Sequence, residues 1–144
     1  MSARGTVVVL FTAMSLLAGT TPDAAAPVAR PDVQNLLHAT LDPQFTAGRE
    51  VLVDLVEIPP NAALEWHSHP GEEFHYYLEG DARVEVEGQG ALDGQPGTVG
   101  HVPFKAKHRA MAGPQGAKVL VFRVHTQGEP WRYLAEGVPA HVHP

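Results

Sequence analysis

Trp66-His67-Ser68-His69-Pro70-Gly71-Glu72-Glu73-Phe74-His75-Tyr76-Tyr77-Leu78-Glu79-Gly80 is the stretch on which the reading of this chain turns. His67 and His69 stand two residues apart. On a strand, that spacing puts both imidazoles on one face with about 7 Å between their backbone positions, so both can reach one metal ion. Pro70-Gly71 reads as a turn. Glu73 begins the next run and can return a carboxylate to the same place. Nitrogen and oxygen donors of this kind suit one divalent transition metal: Fe, Mn, Ni, Cu or Zn.

On either side, the chain consists of short β-type runs broken by Gly and Pro. They are Glu50 to Ile58, Leu64 to Ser68, Glu73 to Glu79, Ala82 to Glu87, Thr98 to Val102, His108 to Ala112 and Ala117 to Val124. The breakers are Pro59-Pro60-Asn61, Pro70-Gly71, Gly80-Asp81, the tract from Gly88 to Gly97, and Gly113-Pro114 with Gly116. Such punctuation predicts an all-β domain of the sandwich or barrel kind. Alternation is plainest in Arg83-Val84-Glu85-Val86-Glu87, with valines on one face and charges on the other. Residues 27–48, which include Pro31 and Pro43, read as a short N-terminal arm with at most a helical turn over Val33 to Leu37. The expected division is a leader at 1–26, the arm at 27–48, a barrel at 49–126 and a tail at 127–144.

The leader reading rests on Arg4 followed by an uncharged, mostly apolar run from Thr6 to Ala18 and then the small-residue segment Asp23-Ala24-Ala25-Ala26-Pro27-Val28-Ala29. A spanning helix needs about 20 apolar residues, so this run predicts export rather than anchoring, to the periplasm or beyond the cell. The mature chain is expected to begin between Thr20 and Arg30; native material that keeps Met1 would contradict it. No cysteine is present, so neither a disulfide nor a cysteine-anchored lipid is available. The net charge of -6 argues against nucleic acid as a partner, which requires clustered Lys and Arg. Acidic residues dominate from Glu50 to Asp93, whereas Gly94 to Gly128 holds Lys105, Lys107, Arg109, Lys118 and Arg123 without an acid. Cross-strand pairing of these charges on solvated faces is the expected outcome.

The sequence resembles the cupins, small jelly-roll β-barrels with two motifs. The first motif runs glycine, five residues, His-x-His, three or four residues, glutamate, six residues, glycine. His67, His69, Glu73 and Gly80 fall at that spacing, with Asn61 in place of the leading glycine. The second motif, around Gly97-Thr98-Val99-Gly100-His101-Val102-Pro103-Phe104-Lys105-Ala106-Lys107-His108, is met by Gly97, Pro103 and His108. Lys105 replaces its inner glycine and Ala112 its final asparagine. Asn61 tolerates left-handed backbone, whereas Lys105 puts the local loop shape in question.

The resemblance implies a metal site of His67, His69, Glu73 and His108, a homodimer, and chemistry of the dioxygenase type on an enol, diketone or phenolic substrate. The alternative is an exported protein that binds a small molecule or a metal without turnover. Strand parity and the distance to Gly80 select Glu73 over Glu72, which is expected on the solvated side. If Glu73 points inward, so do His75 and Tyr77, while Phe74, Tyr76 and Leu78 face away. His75 and Tyr77 thereby join Glu73 as candidate catalytic groups, the first as acid or base, the second as hydrogen-bond donor. Trp66 is expected to pack. His101 is assigned an ordinary structural contact. His125, His141 and His143 are read as tail or surface groups, and Trp131 and Tyr133 as packing the tail onto the barrel or a second subunit.

Overall fold

In the computed structural model, residues 29–134 are described; the leader at 1–26, His141 and His143 lie outside them. Eight strands form one curled sheet, with no helix among the described residues. They are β1 (Asp32–Thr40), β2 (Arg49–Ile58), β3 (His67–Ser68), β4 (Gly71–Val86), β5 (Gly90–Gly94), β6 (Val99–Val102), β7 (His108–Thr126) and β8 (Tyr133–Leu134). The all-β expectation holds.

Two long bent strands organise the sheet. β7 pairs β2 through Ala117 to Thr126 on one edge and β4 on the other, where Gly71 to Gly80 run against Ala117 to His125. Beyond the bend, Ala82 to Val86 of β4 run against Ala112 to His108 of β7, whose free edge takes β3 at His67 opposite His108. One half of the sheet is therefore β1-β2-β7-β4-β6 and the other β5-β4-β7-β3-β8. The halves close on a common core, since Val56, Ile58, Tyr77, Val119 and Val121 from the first cluster with Ala62, Ala82 and Ala112 from the second. Burying two opposed inner faces makes the jelly-roll arrangement stable, because a single sheet face of Val, Ile and Ala would stay wet.

The bends explain two places where the sequence reading cut strands too short. The runs Glu73 to Glu79 and Ala82 to Glu87 are one strand, with register shifts at Tyr77/Glu79 and Gly80/Ala82. His108 to Ala112 and Ala117 to Val124 likewise join through Gly113 to Gly116. Glycine and proline here bend strands rather than end them. Two further expectations are corrected. Val33 to Leu37, read as a helical turn, lie in β1, paired to β2 through Val33↔Val56 and Leu37↔Val53. The partner edge of β2 supplies a ladder that local propensity cannot foresee. The tract from Gly88 to Gly97, read as a break, contains β5, which pairs Ala82 to Val86.

Candidate metal centre

His67 and His108 are brought together by register, as opposite residues on β3 and β7. His69 follows β3, and Glu73 sits near the start of β4, so all four come from the end of the barrel where these strands meet. All four are buried. Ring centroids lie 4.3 Å apart for His67 and His108, 4.9 Å for His67 and His69, and 5.4 Å for His69 and His108. The ligand atoms of the three histidines fall within 4.8 Å of one another. Glu73 reaches two of the three, with Oε2 2.9 Å from His69 Nε2 and Oε1 3.2 Å from His108 Nε2.

The tautomers follow from the backbone. His67 Nδ1 lies 2.7 Å from the Glu65 carbonyl, His69 Nδ1 2.8 Å from that of Trp131, and His108 Nδ1 2.9 Å from that of Ala106. A carbonyl oxygen only accepts, so each Nδ1 carries the proton and each Nε2 presents a lone pair. The Nε2 atoms of His69 and His108 are buried, and among the described residues Glu73 is the group that faces them, at a distance of contact but without hydrogen-bond geometry. Burial pushes the His67 imidazole well below its ordinary value, helped by His108 and His69, and burial also lowers His69. Imidazole Nε2 atoms converging beside a carboxylate fit a cation between them, and the three buried histidines could hold a divalent metal.

Glu73 is held on both oxygens. Arg123 Nε donates to Oε2, and His75 Nε2 lies 2.5 Å from Oε1. Burial alone would favour the neutral acid, but Arg123, with His69 and His75, outweighs it and holds the carboxyl well below the usual range. The second arm of Arg123 pairs with Asp54. Asp54, Glu73 and Arg123 are 0%, 3% and 4% exposed, so a three-membered ionic chain runs through the interior. His75 Nδ1 in turn lies 3.4 Å from the Tyr77 hydroxyl. Burial, with Glu73 and Asp93, pushes the Tyr77 phenol up to about 12, so it stays a donor.

Parity reads as expected: Glu73, His75 and Tyr77 are buried, while Phe74, Tyr76 and Leu78 are exposed. Glu72 lies on the solvated side against His101, whose ring stacks on Phe74. Trp66 packs beneath Arg109. Asn61 adopts φ 57° and Lys105 φ 58°, so both positions that lack the motif glycine keep the left-handed backbone. The loop shape survives the lysine.

His125, read as a surface group, is instead buried on the inner face of β7, its ring 5.4 Å from that of His69. Burial, with His69 and Arg123, lowers it to about 3. Its position is set by the length of β7, which runs past Val124. Asp54 and Arg123 were also missed as members of the site, and Trp131 was read only as packing the tail onto the barrel or a second subunit. Alternation carried the signal for the first two: Asp54 continues the inward series of Leu52, Val56 and Ile58, and Arg123 that of Val119 and Val121. Cross-strand pairing on solvated faces is seen for Glu57 with Lys118, Glu85 with Arg109, Glu87 with Lys107 and Asp93 with Arg83, and Arg123 departs from it by pairing inside. Trp131 packs the chain after β7 onto the site, its ring 5.8 Å from His69 and beneath Arg123.

A cavity of about 40 Å³ adjoins the histidines, lined by His67, Glu73, His75, Tyr77, His108 and Arg123 against Val, Ile, Leu and Ala side chains. It admits only a few atoms.

Residues 54–123 match the family model described as Cupin domain. Among curated proteins none matches the sequence. Among solved structures the chain is similar to the polyketide cyclase RemF from Streptomyces resistomycificus, at 25% identity and TM-score 0.54, covering 74% of each chain. It is similar to a cupin-like protein of Thermotoga maritima at 26% identity and TM-score 0.50, covering 68% of this chain and 69% of that one. It is also similar to the DMSP lyase DddQ from Ruegeria pomeroyi at 23% identity and TM-score 0.55, over 60% of this chain and only 44% of that one.

Proposed function

We propose that this chain, a cupin by fold and by the match over residues 54–123, is a metal-dependent enzyme acting on a small oxygenated molecule, an enol, diketone or phenol, with dioxygenase-type oxidation as the leading reaction. The observation that carries the proposal is the set of three buried imidazoles whose Nδ1 protons are tied to backbone carbonyls while their Nε2 lone pairs converge. His67, His69 and His108 hold the metal, and Glu73 is the fourth donor. A metal bound there supplies Lewis acidity and, for iron, manganese, nickel or copper, redox capacity.

The chain's own residues prepare the site. Arg123 and His75 fix the Glu73 carboxylate as an anion, which suits it to stay charged as the fourth donor. His75 Nε2 donates to Glu73, and its Nδ1 faces the Tyr77 hydroxyl, so Tyr77 holds His75 in the tautomer that turns its N–H to Glu73. Apolar walls keep bulk water from these groups. RemF, a polyketide cyclase, supports an oxygenated, enolisable substrate class. Export and a homodimer belong to the same proposal. The small cavity favours a second reading, a protein that binds a metal or small molecule without turnover.

Oxygen uptake separates the two. Protein loaded in turn with iron, manganese, nickel and copper should consume oxygen with at least one member of a diketone, catechol and flavonol panel. No uptake by any loaded form across the panel would leave the binding reading in place.

A further inference from the structure

The inner cavity, about 40 Å³, is too small for the body of any organic substrate, and Trp131 forms part of its wall. Val33, Leu64 and Trp131 also line a second, larger chamber of about 580 Å³, between the segment preceding β1 and the segment preceding β8. That volume lies in the range of small-molecule sites, and because it shares walls with the histidine cavity it is termed the antechamber. Its other walls include Ala29, Pro31 and Ala63, with Arg30, Arg132 and Glu65 as the charged groups. Two guanidiniums against one carboxylate leave it positive on a chain whose net charge is -6.

Arg132 is the unusual member. Among the described residues its Nε is buried and has no hydrogen-bond partner, with only the negative charge of Glu65 nearby, in contrast to Arg123, which is paired with both Asp54 and Glu73. The guanidiniums of Arg132 and Arg123 both stand over the Trp131 ring, at 5.0 and 5.1 Å. Trp131 thus contacts both arginines, Arg123 lining the cavity and Arg132 lining the antechamber. A buried donor on a cation costs free energy until an acceptor reaches it. The planar fork matches a carboxylate, and walls that are otherwise largely apolar suit a singly charged organic acid better than a phosphate dianion, which needs more donors.

We propose that this antechamber binds the carboxylate of a small organic acid through Arg132, leaving the rest of the molecule to point past Trp131 toward His67 and Glu73. This names the substrate class of the metal-site reading and rests on it only for the direction in which the ligand points.

The test uses full-length protein carrying Trp66→Phe, so that Trp131 is the sole indole. Trp131 fluorescence is titrated with 3-methylbutanoate and with its neutral amide, 3-methylbutanamide, in chelator-treated and in zinc-loaded protein. The expected result is saturable binding of the acid in both forms, at least tenfold weaker binding of the amide, at least a tenfold loss in Arg132→Met, and partial recovery in Arg132→Lys, with circular dichroism unchanged. Equal binding of acid and amide, binding unaffected by Arg132→Met, absence of saturation by the acid, or binding that requires zinc and ignores Arg132 would each overturn the proposal. Failure of zinc to load would count against the metal reading alone, because the chelated arm reads Arg132 without it.

Discussion

Arg123 is the residue on which the interior depends most. It joins Asp54 to Glu73 at nearly zero exposure, and Glu73 is in turn the acceptor for His75. Removing one member of a buried ionic chain leaves the others charged and unpaired, which costs about 3–5 kcal/mol. Arg123→Met should lower stability by that amount in denaturant unfolding, whereas the exposed pair Arg83 with Asp93 should contribute under about 1 kcal/mol when broken. Similar losses for the two would contradict the assignment. At this scale the sequence was most legible where residue type and spacing coincide. The burial of His67, His69, Glu73 and His108 at one place agrees with the motif spacing of the resemblance, and the burial of His75 and Tyr77 with strand parity. Asp54 and Arg123 were not found, because a charged side chain on an inward position is read as surface until its partner on another strand is known.

Among the elements, β4 shows what turns a sequence of short runs into a barrel. It passes from one half of the sheet to the other at Gly80, and Tyr77 just before the bend is covered by β5. A Cβ built on Gly94 would lie 2.0 Å from the Tyr77 ring, so β5 approaches the ring as closely as a backbone can. Gly94→Ala must push either β5 or Tyr77 aside. Overpacking of this kind costs about 1–3 kcal/mol, and the displaced phenol should titrate closer to its ordinary value than about 12 in ultraviolet difference spectra. An unaltered melting temperature and phenol titration would show that the contact is not tight. The glycine-rich tract was read as a break because its glycines were taken as turn formers, and β5 became visible only with the aromatic ring it covers. β1 escaped notice for a related reason: its ladder comes from β2, and its own sequence carries no alternation.

For the molecule as a whole, titration follows the buried site. His125 has a folded-state value of about 3 against an ordinary 6.5, and His67 and His69 are lowered too. Between these values the unfolded chain binds protons that the folded chain refuses, so stability present above pH 6.5 is lost as pH falls toward 3. Glu73, also lowered, acts in the same direction. Tyr77, raised to about 12, withdraws stability as pH rises from 10. The melting temperature of metal-free protein should therefore fall from pH 7 to pH 4 and again above pH 10, and His125→Phe should flatten the acid limb. A curve unchanged in that variant would remove His125 from the account. The all-β architecture was legible from patterning, and the motif positions from the resemblance to the cupins, with Asn61 in the left-handed backbone that such a position tolerates. The closure of the site by Trp131 was not, since it depends on a chain reversal after β7 that brings β8 beside β3.

The central claim is that three buried histidines, with Glu73, hold one divalent metal. Elemental analysis of purified wild-type, His67→Ala and His108→Ala proteins after dialysis against the same metal tests it directly. One ion per chain in the wild type and nearly none in either variant, with the β-sheet circular dichroism intact, is the predicted result. Stoichiometric metal retained in the folded variants would contradict it.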